Sequence, residues 1–278
     1  RTKHLSPALV PLPVVNTPQN SSPPQQALQE NPGFAFVVPT EFVELPSGGR
    51  FYPENHPLHG QNTIEIKQMT AKEEDILTSR TLLKNGVAID RVIQSLITDK
   101  RVNSDSLLVG DRNAILIAAR VSGYGNEYNT TVSCPACGTT QEYSFDLNDA
   151  QMHTGNDDNA LSLTSNGDGT FTTILPRTKV NVVFRLLDGN DEKAIVSQAE
   201  HARKRNRPEQ TVTNQIKSMV VSVNGDETPQ ALNYLIDNIP SLDARHLRTC
   251  YKVAAPNVDL TQFFTCENCG HEQDMEVP

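Results

Sequence analysis

The sequence predicts an α+β protein behind an extended N-terminal arm, and three observations carry that reading. From Glu41 onward, short alternating segments are interleaved with amphipathic segments of helical period. Eight of the 18 prolines fall within residues 1–40, around the low-complexity stretch NSSPPQQ. A Cys-x-x-Cys-Gly phrase is written twice, in VSCPACGTTQ (132–141) and FTCENCGHEQ (264–273), each time followed by two residues and a Gln.

Residues 1–40 hold too little apolar surface to fold alone and are expected to be extended. The globular text then opens with EFVELPSGGRFYP (41–53), read as a strand, a Gly-Gly turn and an aromatic anchor. TIEIKQM alternates and reads as a second strand. Thr70 to Glu73 form a capping box, opening a helix that should run to about Lys84 with Ile76, Leu77, Leu82 and Leu83 as its apolar stripe. A second helix is expected over Ile89–Ile97, with Val92, Ile93 and Leu96 inward. A third should start at Asp111 as N-cap and stop at Gly123. Nothing in these helices suggests chemistry.

Alternating segments flank the first Cys pair, YNTTVS before it and TTQEYSFDL after it. Gly167-Asp-Gly169 reads as a hairpin turn between LSLTS and TFTTILP. TKVNVVFRLL (178–187) is the strongest strand signal. Asp188 to Asp191 then cap a mostly polar helix, EKAIVSQAEHARKRN, and two or three more helices follow over TVTNQIKSMVVSV, TPQALNYLIDNI and SLDARHLRTCYKVA. VDLTQFF leads into the second Cys pair and EQDMEVP leaves it. The predicted organisation is an arm (1–40), a small α/β opening unit (41–126), a split ribbon (127–147 and 257–278) and a mostly helical insertion (148–256).

A chain of 278 residues suggests about two domains of roughly 150 residues each, enough to bury a core without disulfides. The net charge of −9 argues against general affinity for nucleic acid or anionic membranes. No apolar run of about 20 residues is available to span a bilayer. No basic start followed by an apolar stretch marks a secretory signal, and both ends are read as trimmed. Four of the five cysteines form two tight pairs and Cys250 stands alone. That usage points to a reducing compartment and to metal rather than disulfides.

Each Cys pair sits at the tip of a predicted β-hairpin, where Gly permits a left-handed turn after the second sulfur. Two such knuckles supply four thiolates, Cys134, Cys137, Cys266 and Cys269, a closed tetrahedral shell for structural Zn²⁺. The competing readings are buried cysteines without metal and a redox Cys-x-x-Cys, though a thioredoxin-like site opens a helix and occurs once. His271 is a possible substitute ligand, and Cys250 reads as a core thiol. A full shell leaves no position for water or substrate, so the zinc is expected to join the two stems of the insertion.

Phosphate-loop, dinucleotide, metalloprotease and nucleophile-elbow motifs are all missing, so no enzyme is expected. His56 and His59 in a Pro-rich loop, and Asp157-Asp158 beside two asparagines, read as solvated loops. The basic run His201 to Arg207 reads as a solvated helix end that offsets the macrodipole. Docking on an acidic partner or on nucleic acid are its alternatives.

The ordered features Leu45–Pro53 (LPSGGRFYP), Thr63–Lys67, Met69–Glu74 (MTAKEE) and Ile89–Ile93 resemble the T4-type baseplate hub proteins of contractile-tailed bacteriophages. The likeness is close over residues 41–100 and looser over 127–278, where many phage members carry paired knuckles matching Cys134/Cys137 and Cys266/Cys269. It implies a structural, non-catalytic role in the baseplate hub of the virion tail, after assembly in the host cytoplasm. The implied partners are other tail proteins, at the hub, tail tube or tape-measure end. Residues 1–40 and Leu45–Tyr52 are the expected docking segments. An assembly chaperone absent from the mature virion, or a nucleic-acid binder using Arg203, Lys204, Arg205 and Arg207, stay open as alternatives.

Overall fold

A computed structural model describes residues 37–278. The expected extended arm falls outside that range, apart from its last few residues. The first elements are β1 (Thr40–Glu44) and β2 (Thr63–Lys67), an antiparallel ribbon with Val43 opposite Ile64. The alternation in β2 turns Ile64 and Ile66 into the core.

Four helices follow: α1 (Ala71–Thr78), α2 (Arg80–Lys84), α3 (Ala88–Leu96) and α4 (Val109–Tyr124). The capping box is present, with the Thr70 amide donating to Glu73 Oε2 at 3.0 Å. The single helix expected as far as Lys84 is instead broken at Ser79, whose backbone is extended. Just before the break, the Thr78 hydroxyl donates to the Glu74 carbonyl at 2.9 Å, a back-bond that competes with the helical ladder. Beyond it the apolar stripe does not continue, and Leu83 is 52% exposed. In α3, Val92, Ile93 and Leu96 all face the core as expected.

Asp111 is not an N-cap. Helix α4 starts earlier, after Leu108, and Asp111 sits in its first turn with its carboxylate turned into the protein. There it accepts from the Ser47 amide (3.0 Å), the Ser47 hydroxyl (2.6 Å) and the Tyr52 hydroxyl (2.7 Å). The LPSGGRFY loop is therefore held from inside. Leu45, Ser47 and Tyr52 are buried and Arg50 is exposed, so most of the segment proposed for docking is interior structure.

Strands β3 (Glu127–Ser133) and β4 (Thr140–Asp146) form the first of two similar hairpins. Next come β5 (Gln151–His153), β6 (Thr164–Ser165), β7 (Thr170–Ile174), β8 (Asn181–Arg185), α5 (Gly189–Lys204) and α6 (Thr211–Met219). They are followed by β9 (Val220–Val223), α7 (Pro229–Asn238), α8 (Ser241–Ala254) and β10 (Asn257–Asp259). The second hairpin is β11 (Thr261–Thr265) and β12 (Glu272–Glu276). Strands β6, β7, β8 and β9 form an antiparallel sheet in that order. The helix expected over TVTNQIKSMVVSV stops at Met219. Its VVSV end pairs with β8, Val223 opposite Val182, because branched side chains suit the pleated surface better than the helix interior.

One apolar cluster runs from Val43 to Ala254, through Ile66, Ile93, Ile115, Phe171, Phe184 and Leu247. The Phe171 and Phe184 rings stack at 5.7 Å. An ionic knot around the buried Arg112 and Asp90 joins α3, α4 and α5. Arg112 donates to Asp90 at 2.6 Å, while Lys193 of α5 lies 3.0 Å from Asp90 and 2.6 Å from Asp105. At the base of the segment separating the two hairpins, β5 pairs with β10, His153 opposite Asn257.

Candidate metal centre

Strands β3 and β4 form one hairpin and β11 and β12 another. Their two tips have matching hydrogen bonds. The Cys134 amide donates to the Thr139 carbonyl at 2.9 Å and the Gly138 amide to the Cys134 carbonyl at 2.8 Å. The Cys266 amide donates to the His271 carbonyl at 2.8 Å and the Gly270 amide to the Cys266 carbonyl at 2.9 Å. Gly138 and Gly270 have φ of 73° and 67°, and nothing lies within 4 Å of where a Cβ would stand on either. Glycine is required there by backbone conformation, not by crowding.

The two tips meet at their sulfurs. Cys134 Sγ lies 3.8 Å from Cys269 Sγ, and Cys137 Sγ lies 3.8 Å from Cys266 Sγ. All four sulfurs fall within 4.8 Å of one another. These contacts are far too long for a disulfide, whose S–S bond is about 2.05 Å. They match the edge of a tetrahedron of sulfurs around a metal at about 2.3 Å, which is about 3.8 Å. The donor set thus passes the geometric test for a four-coordinate ion: four cysteines lie together and can hold a metal.

Electrostatics agree with the geometry. Hydrogen bonding from Thr139 and Asn268 draws the Cys137 thiol down to about 5. The His271 backbone also favours the Cys269 thiolate, but the neighbouring sulfurs, Cys137 first, outweigh it and push Cys269 up to about 12. Adjacent thiolates repel, so one ionises early and another late. A cation between them removes that repulsion and favours the charged form of all four.

Side chains behind the sulfurs hold the hairpins in place. Phe145 of one hairpin and Phe264 of the other are buried together with Cys134 and Cys266, forming a cluster distinct from the main core. Tyr143 lies 5.1 Å from the Phe264 ring and donates to the Phe263 carbonyl. Gln141 accepts from the Glu267 amide at 3.1 Å and donates to the Thr265 carbonyl at 3.4 Å, stitching one knuckle to the backbone of the other. The repeated Gln was the visible signal for this contact. The two copies differ in use, however, since Gln273 faces the His271 ring at 3.4 Å.

The remaining candidates lie apart from this centre. His271 contributes its carbonyl to the knuckle, not its ring. His56 stacks on Tyr52 at 4.3 Å and faces Ser106, and His59 contacts the Tyr52 carbonyl. Asp157 and Asp158 accept backbone amides from Ser165 and Ala160. Cys250 is fully buried beside Thr173 and His246, and burial raises its thiol pKa. In the basic run, Arg203 pairs with Glu209 and Lys204 with Glu200. No helix among the described residues is long and apolar enough to cross a membrane.

Fold and site together define a class: an α+β protein whose two distant β-hairpins converge on a tetrathiol centre. A family model described as T4 bacteriophage base plate protein matches residues 38–278. The chain belongs to that family, and a structural role in the phage baseplate follows. No curated protein and no solved structure matches the chain.

Proposed function

We propose that the protein is a structural component of the baseplate hub and holds other tail proteins together, with one structural Zn²⁺ bound by Cys134, Cys137, Cys266 and Cys269. The observation that supports the zinc most directly is the pair of 3.8 Å sulfur contacts between the two knuckles. Four thiolates fill a tetrahedral shell, so the ion's contribution is cohesion and no catalytic role is assigned to it. In this reading, residues 127–147 and 257–278 form one split ribbon, residues 41–126 the opening unit and residues 148–256 the insertion. The hub position and the partners at the tail tube or tape-measure end draw their support from family membership and from the Leu45–Pro53 and Met69–Glu74 motifs.

The decisive experiment is quantitative mass spectrometry of purified phage particles beside the infected-cell lysate. A fixed, small copy number per particle supports a virion component. Abundance in the lysate with none in particles makes the protein an assembly factor instead. Metal analysis of the reduced protein, purified with zinc available, checks the second half of the proposal. One zinc per chain is expected, and its absence removes the ribbon reading.

A further inference from the structure

The C-terminal end of α5 carries the one basic run in a chain of net charge −9. Its backbone is fixed by a complete helix stop. The Arg207 amide donates to the Ala202 carbonyl and the Asn206 amide to the Arg203 carbonyl, with Asn206 left-handed at φ 52°. This pattern satisfies the last carbonyls of the helix with backbone amides. The side chains of the run are therefore not needed as caps. Arg203 lies 2.9 Å from Glu209 and Lys204 3.9 Å from Glu200, both pairs at the surface. Among the described residues, His201, Arg205 and Arg207 make no ion pair, and all three line one open surface concavity of about 300 Å³ together with Ala202, Pro208 and Gln210.

We propose that this concavity docks an acidic segment of a neighbouring baseplate protein, with Arg205 and Arg207 gripping its carboxylates. The proposal rests on the baseplate reading for the identity of the neighbour. Two guanidinium groups flanking one fixed turn suit carboxylates, which they bind in bidentate fashion. A nucleic-acid strand fits less well, because it needs a broad basic face with stacking aromatics. Here the unpaired cations are few, and no Phe, Tyr or Trp lines the concavity for a base to stack on.

The test uses the full chain and fluorescein-labelled hexaglutamate, with a hexathymidylate oligonucleotide as the competing polyanion, both at low salt. Hexaglutamate should bind the wild type, and Arg205→Ala/Arg207→Ala should weaken it at least about tenfold, or about 1.4 kcal/mol. Because both residues are exposed, circular dichroism and metal content should not change. Failure of the wild type to bind, or a loss below threefold in the variant, overturns the proposal. It is equally overturned if the oligonucleotide binds more tightly and its binding is what the substitutions abolish. The particle measurement reads the baseplate assignment separately, so a virion protein that ignores hexaglutamate loses only this docking site.

Discussion

The Ser47 hydroxyl donates to Asp111 Oδ2 at 2.6 Å across 64 residues of sequence, joining the LPSGGRFY loop to the first turn of α4. Tyr52 donates to the same oxygen and in turn accepts from the Leu108 amide at 3.0 Å. Burial raises the Asp111 carboxyl pKa against the pull of these donors, and burial followed by the Asp111 charge raises that of Tyr52. Asp111→Ala would strand three buried donors at once and should cost about 3 kcal/mol. Ser47→Ala removes one partner from a carboxylate that keeps two others and takes the acceptor from the Gly49 amide, and should cost about 2 kcal/mol. Urea unfolding of both variants checks the order. An Asp111→Ala protein as stable as the wild type would show that the loop is held by its apolar contacts alone.

Two glycines should fail for different reasons. A Cβ on Gly110 would stand 1.9 Å from the Pro256 carbonyl oxygen, a backbone atom with little room to move. Gly110→Ala gains about 1 kcal/mol of helix propensity, yet should lose about 3 kcal/mol or more to the clash between α4 and the chain leading into β10. Gly138→Ala meets no neighbour, and its cost comes only from the positive φ, about 1–2 kcal/mol. Thermal melts should therefore rank Gly110→Ala well below Gly138→Ala, and the reverse order would contradict this account of α4 packing.

The Arg185–Asp191 pair gives a pH signature. Arg185 contacts both carboxylate oxygens at 2.7 Å. Burial alone would raise the Asp191 carboxyl pKa, but the Arg185 and Asp188 hydrogen bonds outweigh it and hold it below its ordinary value of 3.8. A lowered folded value means that the pair's contribution is complete above the unfolded pKa and is lost as pH falls through the folded one. Arg185 is 40% exposed along its side chain, so solvent screening limits the pair to about 1 kcal/mol. Asp191→Asn should lower the melting temperature at pH 7, and the gap to wild type should close as pH falls from about 5 to about 2. A gap independent of pH would mean that the carboxylate charge contributes nothing.

Features that depend on neighbouring residues were readable in advance, and features that depend on distant ones were not. The boxes at Thr70/Glu73 and Asp188/Asp191 form within one helical turn, so the spacing alone predicts them. The Cys-x-x-Cys-Gly knuckles are similarly local, and writing the phrase twice identified the four sulfurs that the fold brings together. Asp111 has the local appearance of an N-cap, but its hydrogen-bond partners lie far away in the loop before β2. Val220–Val223 follow an amphipathic helix without a turn residue, and only the open edge of β8 makes them a strand. Leu45–Tyr52 look like a surface loop because Gly and Pro punctuate them, and the buried acceptor that holds them inside carries no signature of its own.

Metal removal should act on the ribbon and leave the main core standing. The two hairpins share a small apolar cluster around Val132, Phe145 and Phe264 and a few side-chain hydrogen bonds from Gln141, Tyr143 and Gln262, and an isolated two-stranded hairpin is marginal in water. The segment between the hairpins has other closures: the pairing of β5 with β10, the Asp90–Arg112–Lys193 knot and an apolar cluster reaching from Val43 to Ala254. Metal binding at such a site is worth on the order of 10–16 kcal/mol in isolated peptides, so its loss should exceed what the small cluster can hold. Treatment with a strong chelator, or Cys134→Ser, is therefore expected to abolish amide-exchange protection in β3, β4, β11 and β12 while β7 and β8 keep theirs. Rebinding should release protons, because Cys269 gives up a thiol proton that the neighbouring sulfurs otherwise keep on it. Protection that persists in all four ribbon strands of metal-free protein would leave Gln141, Tyr143 and the phenylalanines as sufficient glue. Protection lost throughout the chain would make the ion a keystone of the whole fold, contrary to the separate clusters seen here.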